Sequence, residues 1–257
     1  MNSCLILRIP SIITTDMILA GFVRLLDLDS EGLQETVSKS GLSDLAQSIS
    51  CEEIIQNGIS GWKVSIEPKE TSPHRSYEEI KDIINKSFLS GFSKEKAGEV
   101  FELLAFAESK VHLKQKEEVV FHEIGSLTNV LTVCLAVMLF ERLSPDKFAV
   151  SPIPVSDGTV KCRHGLLATP APATIHLLEG VTVTSISTKE ETVAPTTLAL
   201  LKTLGAEFNE WPSVKIKRTE RVYGRKVLPD LPSWVIFALG ALSAPLAEFQ
   251  EIPSASL

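Results

Sequence analysis

The chain has 257 residues, 44% of them hydrophobic and 22% charged, and a net charge of −7 from 25 basic and 32 acidic side chains. That is enough apolar chain for a sizeable core, in one large domain or two small ones. The acidic balance excludes a dedicated nucleic-acid binder, because no strong basic footprint exists to meet phosphates.

In chain order, Met1 to Pro10 reads as a first strand centred on Cys4–Ile9 and carries no basic leader pattern, so no signal peptide is expected. Thr15 is a plausible N-cap, with Asp16 in the first turn, of a helix to about Leu28. Cys51–Gln56 and Lys63–Glu67 read as strands around the Asn57-Gly58 turn. Lys69–Ser76 is polar and contains a proline, which predicts a loop or linker. Helices follow from about Ser76 and from Ser93 to about His112, then a short extended Val119–Phe121 and a helix from about Ser126 to Leu143. That last helix holds the longest apolar run, Val130–Phe140 broken only by Thr132, too short for a bilayer crossing of roughly 20 residues. No membrane association is expected.

Phe148–Val155 is extended, Ala171–Leu178 a helix opened by prolines, Val181–Ile186 a strand, and Pro195–Leu204 a helix closed by Gly205. Val214–Arg218 and Ser233–Ala238 read as strands; the basic run Lys215-Ile216-Lys217-Arg218 alternates like an exposed strand face. The mix predicts an α/β or α+β fold, a mixed sheet with packed helices, in a single unit over residues 1–240 with room for a small N-terminal subdomain and a tail over 241–257. Cys4, Cys51, Cys134 and Cys162 form no Cys-x-x-Cys pair, so reduced thiols in a cytoplasmic protein are expected.

Two short stretches carry chemistry. His122 and Glu123 sit where a strand turns into a helix at Gly125, a junction at which adjacent residues can face one point. An imidazole and a carboxylate there can bind a divalent metal or move a proton; the alternative is a structural pair, with Glu123 favoured by the helix start and His122 satisfied in the core. Cys162 and His164 are two apart, on one face of an extended segment. Thiolate plus imidazole suits a borderline or soft ion such as nickel or zinc, with Lys161 or Arg163 able to lower the thiol's pKa. The alternative is a buried Cys and a hydrogen-bonded His. His74 falls in the polar loop, His112 at a helix end where a dipole role suffices, and His176 on a helix surface.

Val119-Val120-Phe121-His122-Glu123-Ile124-Gly125, Ser151-Pro152-Ile153-Pro154, Val160-Lys161-Cys162-Arg163-His164-Gly165 and Pro170-Ala171-Pro172-Ala173-Thr174, in this order, resemble the nickel-insertion proteins of the nickel-pincer cofactor pathway, the LarC-type cyclometallases that serve lactate racemase. The likeness covers about residues 3 to 237, and Thr15-Asp16-Met17 is similar to a Gly-Asp-Met near the family's start. It implies nickel as the metal, with His122, Glu123, Cys162 and His164 as ligands, His122 and Glu123 as catalytic groups, and Asp16 and Lys161 on the cofactor precursor. If active, the implied reaction is a CTP-dependent nickel insertion, a lyase chemistry.

The departures matter chemically. The family's first histidine is Val120, and two aspartates one turn apart are Thr128 and Thr132, so tight binding of Mg(II) or Mn(II) is not expected. An aspartate at the first strand's end is Arg8, and two glycines are Ile12 and Thr15. No P-loop occurs, and the family's C-terminal domain for nucleotide-dependent insertion is not in this chain. Two readings stay open: the N-terminal half of a nickel-insertion protein, needing a separate C-terminal nucleotide-binding half and able to form a homo-oligomer, or a diverged, non-catalytic relative that binds a protein or small molecule.

Overall fold

Leu5 and Leu7 face one way and Cys4 and Ile6 the other, and all four are fully buried, which makes the first segment a central strand, β1 (Ser3–Arg8). The computed structural model describes residues 3–69, 74–162 and 165–242, apart from the side chains of Glu123, Lys161 and Cys162. β1 leads into α1 (Thr15–Leu25), whose cap is Thr14 rather than Thr15. The helix stops at Leu25 instead of Leu28 because Asp27 turns into the left-handed region at φ 58°. α2 (Ser30–Ser40) is a helix that apolar periodicity does not announce: Gly32 and a thin stripe of Leu33 and Val37 hide it. Its punctuation is plain, with Asp29 accepting from the Gly32 N–H at 2.8 Å and Gly41 closing it at φ 70°.

β2 (Ala46–Gln56) and β3 (Ile59–Pro68) form the expected hairpin; β2 begins earlier than expected, at Ala46, and β3 begins closer to the Asn57-Gly58 turn, at Ile59. β4 (Arg75–Ser76) precedes α3 (Tyr77–Lys86), which starts on a Ser76–Glu79 capping box. α4 (Gly91–His112) is capped by Ser90, one turn earlier than the Ser93 expected. β5 (Val120–Phe121) pairs antiparallel with β4, and α5 (Leu127–Leu143) follows with Ser126 as cap. The rest comprises β6 (Lys147–Val150), β7 (Ile153–Val155), β8 (Gly158–Cys162), β9 (Gly165–Thr169), α6 (Pro172–Leu177), β10 (Val183–Ser185), α7 (Pro195–Thr203), β11 (Glu207–Phe208), β12 (Val214–Tyr223) and β13 (Trp234–Leu242).

The main sheet has seven strands in the order β11-β6-β1-β13-β12-β3-β2 among the described residues. It is mixed: β6 runs parallel to β1 and β11, β13 antiparallel to β1 and β12, and β3 parallel to β12. With helices packed on it, this is an α/β fold, as expected. The basic run lies on β12, where Arg218 pairs with Asp27 and Glu220.

α1 lies against β3, β12, β13 and α5. Gly21 sets that contact: a Cβ there would stand 2.3 Å from a Phe237 ring carbon. Phe22 beside it meets the rings of Phe140 and Phe237, each at 5.8 Å between centroids. This packing fixes where α1 begins, and that end faces the site. No helix among the described residues is long and apolar enough to cross a membrane.

Candidate functional site

Three helix starts are tied together side by side. The strand-like segment before α1 runs along the segment before α7, with the Ile13 N–H donating to the Thr192 carbonyl at 3.0 Å. The hydroxyls of Thr15 and Thr197 then meet at 3.1 Å, joining the first turns of α1 and α7. Asn129, in the first turn of α5, donates to the Ile124 carbonyl at 2.7 Å and to the Thr196 hydroxyl at 3.3 Å. Of the three starts only α5 is capped by a side chain, Ser126 accepting from the Asn129 N–H, while the Thr and Asn side chains link one start to the next.

These starts form one wall of a cavity of ≈ 590 Å³, within the roughly 300–1,000 Å³ of small-molecule sites. The end of α4, the turn after β5, the β8–β9 pair through Val160 and Leu167, and Arg225 complete it. The α1, α5 and α7 ends each bring a partial positive charge and N–H groups toward the cavity, while the carboxylates of Asp16, Glu108 and Glu191 stand on its lining.

His122 lies on this lining, half-buried, just before the 3₁₀ turn Glu123–Gly125. Its Nδ1 is 2.9 Å from Nδ1 of His74, and the two rings cross at 85° with centroids 4.9 Å apart. The β4–β5 pairing makes this contact, since Arg75 is opposite Phe121 in register and so sets the residues before and after them side by side. The polar-loop placement of His74 hides this from sequence; a two-residue strand pair is too short to read.

Asp16 also lines the cavity, its carboxylate accepting from the Arg225 N–H at 3.1 Å. Of Lys161 and Cys162 the structure gives the backbone in β8, and Arg163 and His164 lie outside the described residues. The Glu123 side chain is likewise outside them.

One lining residue, His112, lies outside the sequence motifs. His112 was assigned a dipole role only, yet it faces the cavity and pairs with Glu108, Nε2 to Oε2 at 3.3 Å. The signal was available: Glu and His four apart share a helix face. Thr128 and Thr132 line the same wall, and the Thr132 hydroxyl donates to the Thr128 carbonyl at 2.6 Å. Among the described residues, no three His, Cys, Asp or Glu side chains gather as a metal-holding group.

A family model described as nickel insertion protein matches residues 5–252. A putative nickel insertion protein of Syntrophobacter fumaroxidans is 36% identical over 237 residues, covering 91% of this chain and 59% of the relative. One from Geotalea uraniireducens is 33% identical over 234 residues, covering 91% and 60%. The pyridinium-3,5-bisthiocarboxylic acid mononucleotide nickel insertion protein of Desulfitobacterium hafniense is 34% identical over 192 residues, covering 75% and 48%. The chain thus spans about half to three fifths of the length of these relatives. No solved structure matches it. With the family model covering nearly the whole chain, this protein belongs to the nickel insertion protein family.

Proposed function

We propose that this chain is the part of a nickel insertion protein that holds Ni(II) and its organic acceptor, a pyridinium bisthiocarboxylate mononucleotide, in the cavity beneath α1, α5 and α7. The observation that carries the reading is the placement of His122 on the lining of a cavity large enough for such a mononucleotide. The helix starts favour an anion, and phosphate or thiocarboxylate groups of the acceptor supply one. Nickel here is cargo, not a resident cofactor.

In this reading His122, Glu123, Cys162 and His164 are the metal donors, a set of nitrogen, sulfur and oxygen suited to Ni(II) and poor for Mg(II) or Mn(II). His122 and Glu123 also handle the proton released on insertion, and Asp16 and Lys161 hold the acceptor. CTP-dependent insertion, the lyase step, is completed with a separate C-terminal half in the cytoplasm, where the free thiols of Cys4, Cys51 and Cys134 fit a reducing compartment.

Equilibrium dialysis of the mononucleotide against the purified chain tests this. Wild type should retain it, and Thr128→Trp, which places a large ring in the cavity, should not. Equal retention by both proteins would remove the cavity from the account.

A further inference from the structure

Two imidazole nitrogens on one first-row metal ion, each at about 2.0–2.1 Å and at right angles, stand roughly 2.9 Å apart. His74 Nδ1 and His122 Nδ1 are separated by 2.9 Å. We infer that His74 and His122 form a two-imidazole landing site for Ni(II) at the cavity, with His74 a metal ligand that neither the motifs nor the family assignment names. This rests on the nickel-handling reading of the same cavity.

Three features carry it. First, the two Nδ1 atoms already face one another. In the metal-free pair one Nδ1–H donates to the other Nδ1. On metal binding the donor imidazole shifts to its Nε2–H tautomer and turns its lone pair to the ion. Second, the ligands come from two elements: His74 enters β4 and His122 leaves β5, so the ladder between Arg75 and Phe121 holds them at fixed separation. A chelate built on paired strands loses less freedom on binding than two independent side chains. Third, the site is open. His74 is exposed and His122 reaches the cavity lining, so an ion can arrive from solvent at one imidazole and face the acceptor from the other. Structural metal sites enclose the ion with four protein ligands. On first landing two imidazoles grip it, leaving positions for water, for the further donors Glu123, Cys162 and His164, and for the acceptor's sulfur atoms as they displace these, which suits an ion that must be handed over.

The test is calorimetric titration of NiCl₂ into the full apo chain, with X-ray absorption of the loaded protein to count imidazoles. The variants are His74→Ala, His74→Gln, His122→Ala and, as a control away from the cavity, His176→Ala. Wild type and His176→Ala should bind alike, with at least two imidazoles on the nickel. Each His74 variant should weaken binding by about tenfold or more and remove one imidazole from the count, with its melting temperature before metal unchanged. Wild-type affinity and imidazole count in both His74 variants would overturn this assignment while leaving the parent reading to His122→Ala. A wild-type chain that binds no Ni(II) would overturn both.

Discussion

Thr128 and Thr132 show what one residue type decides in this cavity. Both line it, one turn apart at the start of α5, and the Thr132 hydroxyl is turned back to the Thr128 carbonyl. Neutral hydroxyls are poor ligands for hard cations, so wild type should bind Mn(II) weakly. Thr128→Asp with Thr132→Asp should bind it more tightly and lose melting temperature in the apoprotein through carboxylate repulsion, with recovery on adding Mn(II). Electron paramagnetic resonance and paired melts check this; a double mutant with no gain in affinity and no metal-dependent recovery would move that helix face away from the site.

The cysteines give a second residue-scale test. Burial alone pushes the Cys134 thiol up to about 12, and burial likewise raises Cys51 to about 11. Between the ordinary thiol value of 9.0 and these values, the unfolded chain has lost a proton that the folded chain keeps, so stability is full below pH 9 and falls as pH rises. The loss is at most about 1.4 kcal/mol per pH unit for each thiol. Urea melts from pH 8 to 11 should show a steeper alkaline decline for wild type than for Cys134→Ala; parallel curves would mean the thiol ionises without unfolding.

Residue legibility divided along physical lines. His122 and Asp16 could be picked because they sit in distinctive strings, and both reach the cavity lining. His74 could not, because its significance comes from a β4–β5 ladder of two residues, and His112 was undervalued because a helix-end histidine has a sufficient local explanation. The roles of Cys162, His164, Glu123 and Lys161 rest on the sequence alone.

Among the elements, strong periodicity and strong punctuation gave most of the reading. β1, the β2–β3 hairpin, α3, α5 and α7 follow from a short apolar run, an Asn-Gly turn, one apolar helix face, a long apolar run and a Pro/Gly frame. α2 escaped because its stability comes from packing Leu33 and Val37 on the core rather than from a broad apolar face. What sequence could not give is how elements approach, and Gly21 is the clearest case. Its missing side chain is what lets α1 meet Phe237, and ring atoms occupy the space a methyl would need. Gly21→Ala should therefore destabilise by about 1–3 kcal/mol despite alanine's better helix propensity. Chemical denaturation measures it. A stabilised variant would mean that α1 does not lean on β13 as closely as described.

At the scale of the molecule, the mixed sheet and its helices serve to bring three helix starts and a histidine pair to one cavity. Hydrogen bonds between Thr15 and Thr197, and between Asn129 and Thr196, make that wall a rigid unit rather than three separate ends. The relatives it matches are longer than it is, and the chain spans about half to three fifths of their length. The central claim is that metal and organic acceptor share this cavity. If Ni(II) held there meets the acceptor's sulfur atoms, it raises the affinity for the acceptor, and the acceptor raises the affinity for Ni(II) by the same factor. The direct measurement is calorimetric titration of the mononucleotide into the apo chain, into the chain loaded with one Ni(II), and into His122→Ala treated the same way. The account predicts tighter binding to the nickel-loaded wild type than to the apoprotein, and no such difference in His122→Ala. Equal affinity for apo and nickel-loaded wild type would contradict it.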